Sequence, residues 1–133
     1  YASPEESPDI GQTLVVYTEP VAIYRLPLTV GDEWISIGEV RDAVVRDLPY
    51  AGRDVYTNRV DATGELWLPE LRFDQVLRVR TDLTVEPSVG EGFTRKQVGY
   101  VFECFGEVAR AVSENNETDD NFETAVEVRR LGL

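Results

Sequence analysis

Histidine and methionine are absent from this 133-residue chain, and cysteine and lysine occur once each, as Cys104 and Lys96. Without histidine there is no Ser–His or Cys–His pair and no imidazole ligand for a metal. A single cysteine cannot close a disulfide within the chain, so it leaves the redox compartment open. No apolar run approaches the roughly 18–20 residues that cross a bilayer as a helix, and membrane insertion of this segment is not expected. The glycine-rich phosphate-binding patterns and the G-x-S-x-G nucleophile turn are missing too. Paired carboxylates remain as the one general acid–base option, as in glycoside hydrolysis. Among 25 acidic residues no pair is singled out by spacing or context. The expectation is therefore a protein that is not an enzyme and carries no cofactor, with a carboxylate-pair hydrolase as the catalytic alternative.

What is present is acid and alternation. The formal net charge of −12 repels phosphate backbones and anionic lipid, which removes nucleic acid from the expected partners. With 42% hydrophobic and 29% charged residues the chain has the make-up of a globular protein, long enough for one core without disulfide support. Leu77, Val79, Thr81, Leu83 and Val85 alternate strictly with Arg78, Arg80, Asp82, Thr84 and Glu86. A period of two marks a strand with one face on a core and one in water. The stretch Gly64–Thr81, GELWLPELRFDQVLRVRT, reads as two antiparallel strands meeting at a corner marked by Pro69.

The same grammar runs along most of the chain. Residues 1–12 (YASPEESPDIGQ) read as a linker or flexible arm, the mature end or the middle of something longer. Residues 13–133 read as one β domain. Short strands are expected over Thr13–Thr18 and Val21–Leu28, the latter ending near Pro27. A long run from Trp34 to Asp47 follows, in which the apolar parity flips from Ile35 and Ile37 to Val40 and Val44. A bulge near Gly38 reconciles the two halves; a helix over Ile37–Leu48 is the rival, since Val40, Val44 and Leu48 recur at i, i+4, i+8. Leu48–Arg53 reads as a loop. Hairpins are expected around Thr63-Gly64, around Pro87–Gly92 and around the polar run Glu114–Asp120. Cys104 shares parity with Val98, Tyr100 and Phe102 and reads as a small buried core residue. Seven to nine strands describe an all-β fold: an antiparallel sandwich, an open barrel or a strongly curved sheet.

Two charged groupings stand out. Glu114, Glu117, Asp119, Asp120 and Glu123 form the densest acidic cluster, an oxygen-only ligand set that suits Ca²⁺. It lacks the central glycine of an EF-hand loop, and a solvated hairpin tip is the plainer reading. Asn116-Glu117-Thr118 within it is also a glycosylation sequon. Arg78, Arg80, Arg95 and Lys96, with Arg72 nearby, form a basic island that could bind an anion. Salt-bridge ladders to Asp82, Glu86 and Glu103 are the plainer reading. The aromatics, Tyr17, Tyr24, Trp34, Tyr56, Trp67, Phe73, Tyr100, Phe102 and Phe122 among them, either fill the core or line a cavity.

Read together, LPLTVGDEW (Leu26–Trp34), GELWLPELRFDQVLRVRT (Gly64–Thr81) and GYVFECFGEVARAVS (Gly99–Ser113) resemble a family of uncharacterised secreted proteins and lipoproteins of bacteria. In that family a PL-x-VG-x-x-W opening precedes a G-x-L-x-LP-x-G-x-F-x-x-VLRV hairpin, and the resemblance covers about two thirds of the chain. It implies an all-β fold and export to the cell envelope or beyond, and it hands over no catalytic residues. The expected function is a non-enzymatic module that binds a protein partner or joins an assembly. The alternative is a carrier holding a small apolar ligand in a curved-sheet cavity.

Overall fold

A computed structural model describes residues 11–132. They form an all-β fold with one antiparallel sheet of six strands in simple sequential order. The strands are β1 (Glu33–Val45), β2 (Leu48–Trp67), β3 (Arg72–Pro87), β4 (Phe93–Phe102), β5 (Gly106–Ser113) and β6 (Ala125–Arg130). The first and last strands do not pair, so the sheet is open rather than a barrel. The arm expected over residues 1–12 lies outside the described residues except for Gly11 and Gln12. Gln12 is already tied to the sheet, donating its N–H to Asp47 Oδ1 at 2.9 Å.

The strand count is six, not seven to nine, because Thr13–Thr18 and Val21–Leu28 are not strands of the sheet. Their β-branched residues serve a different end. Residues 13–32 cross one face of the sheet as an irregular strap. The strap meets the edge of β1 only at points, with Leu14 and Val44 exchanging backbone hydrogen bonds and Thr18 N–H donating to Glu39 O. It closes over a core of Trp34, Val60, Val79 and Val101, packed by Tyr24 and Leu28 from the strap and by Leu77. The registers Trp34↔Asn58 and Val60↔Val79 place these residues on one face, since directly paired side chains point the same way. Burying a valine fully, as at Val60 and Val79, contributes about 1.5–3 kcal/mol each. Trp34 Nε1 and Ser36 Oγ both donate to Ala22 O, at 3.4 and 2.8 Å, which fixes the strap above β1. Asn58, buried among these apolar groups, is satisfied by Thr81 Oγ1 donating to its Oδ1 and by the carbonyls of Trp34 and Tyr56.

The long run from Trp34 is a strand, not a helix, but the expected flip between Ile37 and Val40 is absent: Trp34, Ser36, Gly38 and Val40 are buried on one face, while Ile35 and Ile37 are exposed on the other. Gly38 pairs regularly with Asp54, and the extra residue falls between Val40 and Ala43. Gly38 is small for another reason. A Cβ there would lie 2.6 Å from the ring of Tyr17 and 2.9 Å from Val21 Cγ2, so the bare backbone is the floor on which the strap's tyrosine rests. Gly99 plays the same part for Tyr24, whose hydroxyl oxygen would be 2.6 Å from an added Cβ.

The corner at Pro69 and the hairpins around Pro87–Gly92 and Glu114–Asp120 form as the pattern indicates, with Trp67↔Arg72 and Val85↔Phe93 as the innermost pairs of the first two. Thr63-Gly64 is not a turn, because β2 runs straight through it to pair with β3. Leu48–Arg53 belongs to β2, and the turn before it is Arg46-Asp47, both at positive φ (51° and 62°). Two left-handed residues are what a two-residue hairpin loop needs to match strand twist. Cys104 is exposed, contrary to the parity argument: β4 ends at Phe102, and Phe105 N–H closes a turn onto Phe102 O. Val98, Tyr100 and Phe102 do share a face, and alternation stops where the turn begins.

Substituting Gly38→Ala is expected to lower stability by about 1–3 kcal/mol, because the tyrosine ring must lift off the sheet. Gly64→Ala, where nothing lies within 4 Å, should stay within about 0.5 kcal/mol of wild type in the same urea titration.

Candidate functional site

Part of the basic island and one member of the acidic cluster, Asp120, meet on the face opposite the strap, where each finds partners of opposite charge. Arg59, Arg78, Arg80 and Lys96 stand on adjacent strands, in the registers Arg59↔Arg80 and Asp82↔Lys96. Asp61 occupies the bulge between Val60 and Ala62, which turns it onto this face. It accepts from Arg78 Nε and Nη2 at 2.8 and 2.9 Å and from Arg80 Nε at 2.6 Å. Lys96 Nζ reaches Asp82 at 2.9 Å and Asp120 at 2.7 Å, and Arg59 reaches the other oxygen of Asp120. Arg80 also donates to Asp120 O and, at 2.7 Å, to Asn121 Oδ1. The loop between β5 and β6 is thus folded down onto the sheet rather than left as a solvated tip.

This arrangement engages several members of both groupings within the fold. Glu117 Oε1 accepts from the N–H groups of Thr118 and Asp119, and Asp119 Oδ1 accepts from Asn121 N–H, each at 2.8 Å. Asp120 is taken up by Lys96 and Arg59, and among the described residues no three acidic or cysteine side chains converge on a metal position. Glu114 and Glu123 are exposed and contribute to no such convergence. Arg95 points to the strap side, since it pairs with Leu83; there it donates to Asn115 Oδ1 at 2.6 Å and lies over the Phe93 ring at 5.2 Å. Of the expected ladder to Asp82, Glu86 and Glu103, Lys96 with Asp82 forms, whereas Arg78 and Arg80 pair with Asp61, and Lys96 also reaches Asp120, partners that local spacing does not reveal. Glu86, expected in the same ladder, pairs with Arg53 instead.

The electrostatics follow. Burial pushes the Asp61 carboxyl up, but the hydrogen bonds from Arg78 and Arg80 outweigh it and hold the group below the usual carboxylate range. Lys96 and Arg59 hold Asp120 low in the same way, and Asp120 with Asp82 raises Lys96. Under the strap, burial and the hydrogen bond to Glu107 push Tyr24 up to about 12, while Arg110, which donates to Glu107, opposes the shift. Tyr17 is raised by burial and by its hydrogen bond to Asp54, with Tyr56 alongside at 2.8 Å. Both strap tyrosines are therefore neutral anchors at ordinary pH.

A recess with the chemistry of a binding site lies elsewhere, at the end of the strap face. Leu26, Pro27 and Leu28 form one wall; the Leu26–Pro27 peptide is cis. The paired residues Leu77 and Val101 line it from the sheet, and Gln75, Phe102, Glu103 and Gly106 complete the lining. The cleft encloses about 680 Å³, within the range of small-molecule sites. Gln75 stands there at φ 59°, a left-handed conformation imposed by the register break where Gly64↔Val76 gives way to Leu66↔Phe73. Leu26 is 75% exposed at the rim although fully apolar. Sequence reasoning missed this site because its wall comes from a segment read as a strand. The signals available were the Leu-Pro-Leu run beside an interrupted alternation at Asp74–Gln75.

Comparison with protein-family models, with curated protein sequences and with solved structures finds no match to this chain.

Asp61→Asn should cost roughly 2–4 kcal/mol at neutral pH, because Arg80, only 10% exposed, loses its carboxylate. A lowered carboxyl stabilises the fold above its ordinary range, and that contribution is lost as pH falls through the folded value. The gap between wild type and Asp61→Asn in urea unfolding should therefore narrow from about pH 6 to about pH 3.

Proposed function

We propose that this chain is a non-enzymatic binding module of the bacterial cell envelope or exterior, and that its ligand site is the cleft between Leu26–Leu28 and the ends of β3 and β4. The observation that carries the reading is the make-up of that cleft. Its lining is mainly apolar, with Gln75 and Glu103 as its two polar side chains. A mainly apolar lining with a few polar groups is the make-up of a site that takes an apolar body and orients it by a polar group. The Glu103 carboxylate and a net charge of −12 favour a ligand whose polar end is cationic or donates hydrogen bonds. The carrier reading is thus the form of binding that we favour, with an open cleft in place of an enclosed cavity.

The absence of catalysis is supported by what the carboxylates do. A general acid needs a carboxyl whose pKa is raised toward the working pH. Asp61 and Asp120 are held low by guanidinium and ammonium partners, which suits a structural ion pair. Placement outside the cytoplasm rests on the resemblance of the three strand-and-turn motifs to secreted proteins and lipoproteins.

N-phenyl-1-naphthylamine, a neutral apolar fluorophore, tests the cleft. Its emission should rise saturably with the native protein and fall back when a long-chain alkylamine competes. Leu26→Asp should weaken probe binding by at least about tenfold without moving the melting temperature, since that side chain is mostly exposed. Emission that never saturates, or binding indifferent to Leu26→Asp, would count against the proposal.

A further inference from the structure

The two edges of the sheet are treated differently. The β1 edge is covered along its second half by the strap, through the hydrogen bonds of Leu14 and Thr18. The β6 edge has no strand beyond it among the described residues. An uncovered edge is a row of unpaired N–H and C=O groups ready for another strand. Leu131 N–H donates to Val108 O at 2.8 Å, so Arg129 and Glu127 also turn their backbone groups toward β5. By alternation, those of Val128 and Arg130 face outward.

We propose that β6 pairs with β6 of a second copy of this chain, antiparallel and centred on Val128, to make one sheet that is continuous through a two-fold dimer. The register follows from the sequence of the strand itself. Outward backbone groups must meet outward groups, which leaves centres on single residues. Centring on Glu127 sets carboxylate against carboxylate, and centring on Arg129 sets guanidinium against guanidinium; like charges directly opposed across strands are destabilising. Centring on Val128 opposes each Glu127 to the partner's Arg129 and lets the two Val128 residues exchange both backbone hydrogen bonds. Glu127 and Arg129 already meet at 2.7 Å within one strand, so the dimer would complete a four-charge cluster on one face. Val128, 67% exposed in the single chain, would be covered on the other. The edge is also locally basic, with Arg129 and Arg130 against Glu127, which spares it the repulsion of a strongly acidic surface.

Sedimentation velocity over a concentration series tests this. The wild-type chain should show a monomer–dimer equilibrium. Glu127→Arg and Arg129→Glu should each raise the dimer dissociation constant at least about tenfold. The double swap, and an equimolar mixture of the two single variants, should restore it. Val128→Pro removes an outward N–H that β5 does not use, and should abolish the dimer while leaving the melting temperature at dilutions where the wild type is monomeric unchanged. A chain that stays monomeric at every concentration, assembles beyond a dimer, or dimerises regardless of these substitutions would overturn the proposal.

Discussion

Everything in this protein depends on covering one face of a single sheet. Domains ordinarily pack two layers, because a sheet with an apolar face needs something to bury it. Here the six strands make one layer, and no helix stands among the described residues. Trp34, Val60, Val79 and Val101 would face water if the strap lifted away. The strap has no repetitive hydrogen bonding of its own, so it is held by side-chain fit: a tyrosine ring on Gly38, a tyrosine hydroxyl above Gly99, and the Ala22 carbonyl accepting from Trp34 and Ser36. Sheet and strap therefore stabilise each other.

The opposite face solves the same problem by charge. A second, smaller core of Phe73, Val76 and Val108 closes one end of it, with Phe102 and Phe105 stacked at 6.0 Å. The middle is occupied by Arg59, Arg78, Arg80, Lys96, Asp61, Asp82 and Asp120, which anchor the β5–β6 loop. Exposed pairs contribute little singly, but Arg80 and Lys96 are shielded enough that removing a partner leaves a costly charge. The proposed ligand cleft belongs to the strap face, where Leu26–Leu28 part from the sheet. Its shape is thus set by how firmly the strap is docked.

Local patterns were legible and non-local ones were not. The alternation from Leu77 to Val85, the corner at Pro69 and the loop at Pro87–Gly92 could be read directly, because each is decided by neighbours in the chain. Thr13–Thr18 and Val21–Leu28 have strand composition, yet the first meets the β1 edge only at Leu14 and Thr18 and the second lies on the sheet face. Composition alone cannot distinguish such a strap from a strand of the sheet, since both bury β-branched residues. Gly38 reads from the sequence as a bulge, but the strand passes it in regular register, and its smallness answers to a tyrosine 21 residues earlier in the chain. The Arg46-Asp47 turn lacks the usual Asn-Gly signal, so the strand boundary was placed too late. Of the candidate site, the basic and acidic groupings are visible in the sequence, but the pairing of Lys96 with Asp120 requires the β5–β6 loop to fold back, which no short-range pattern reports.

The central claim is that strap and sheet form one cooperative unit. Native-state hydrogen exchange, read residue by residue, tests it most directly. The Thr18 amide on Glu39 O and the Gly31 amide on Val60 O should open only with the whole fold. Their exchange free energies should then lie within about 1 kcal/mol of those in the β2–β3 ladder. Strap amides that exchange several kcal/mol more easily, beside a ladder that stays fully protected, would mean that the sheet stands without its cover and would contradict the account.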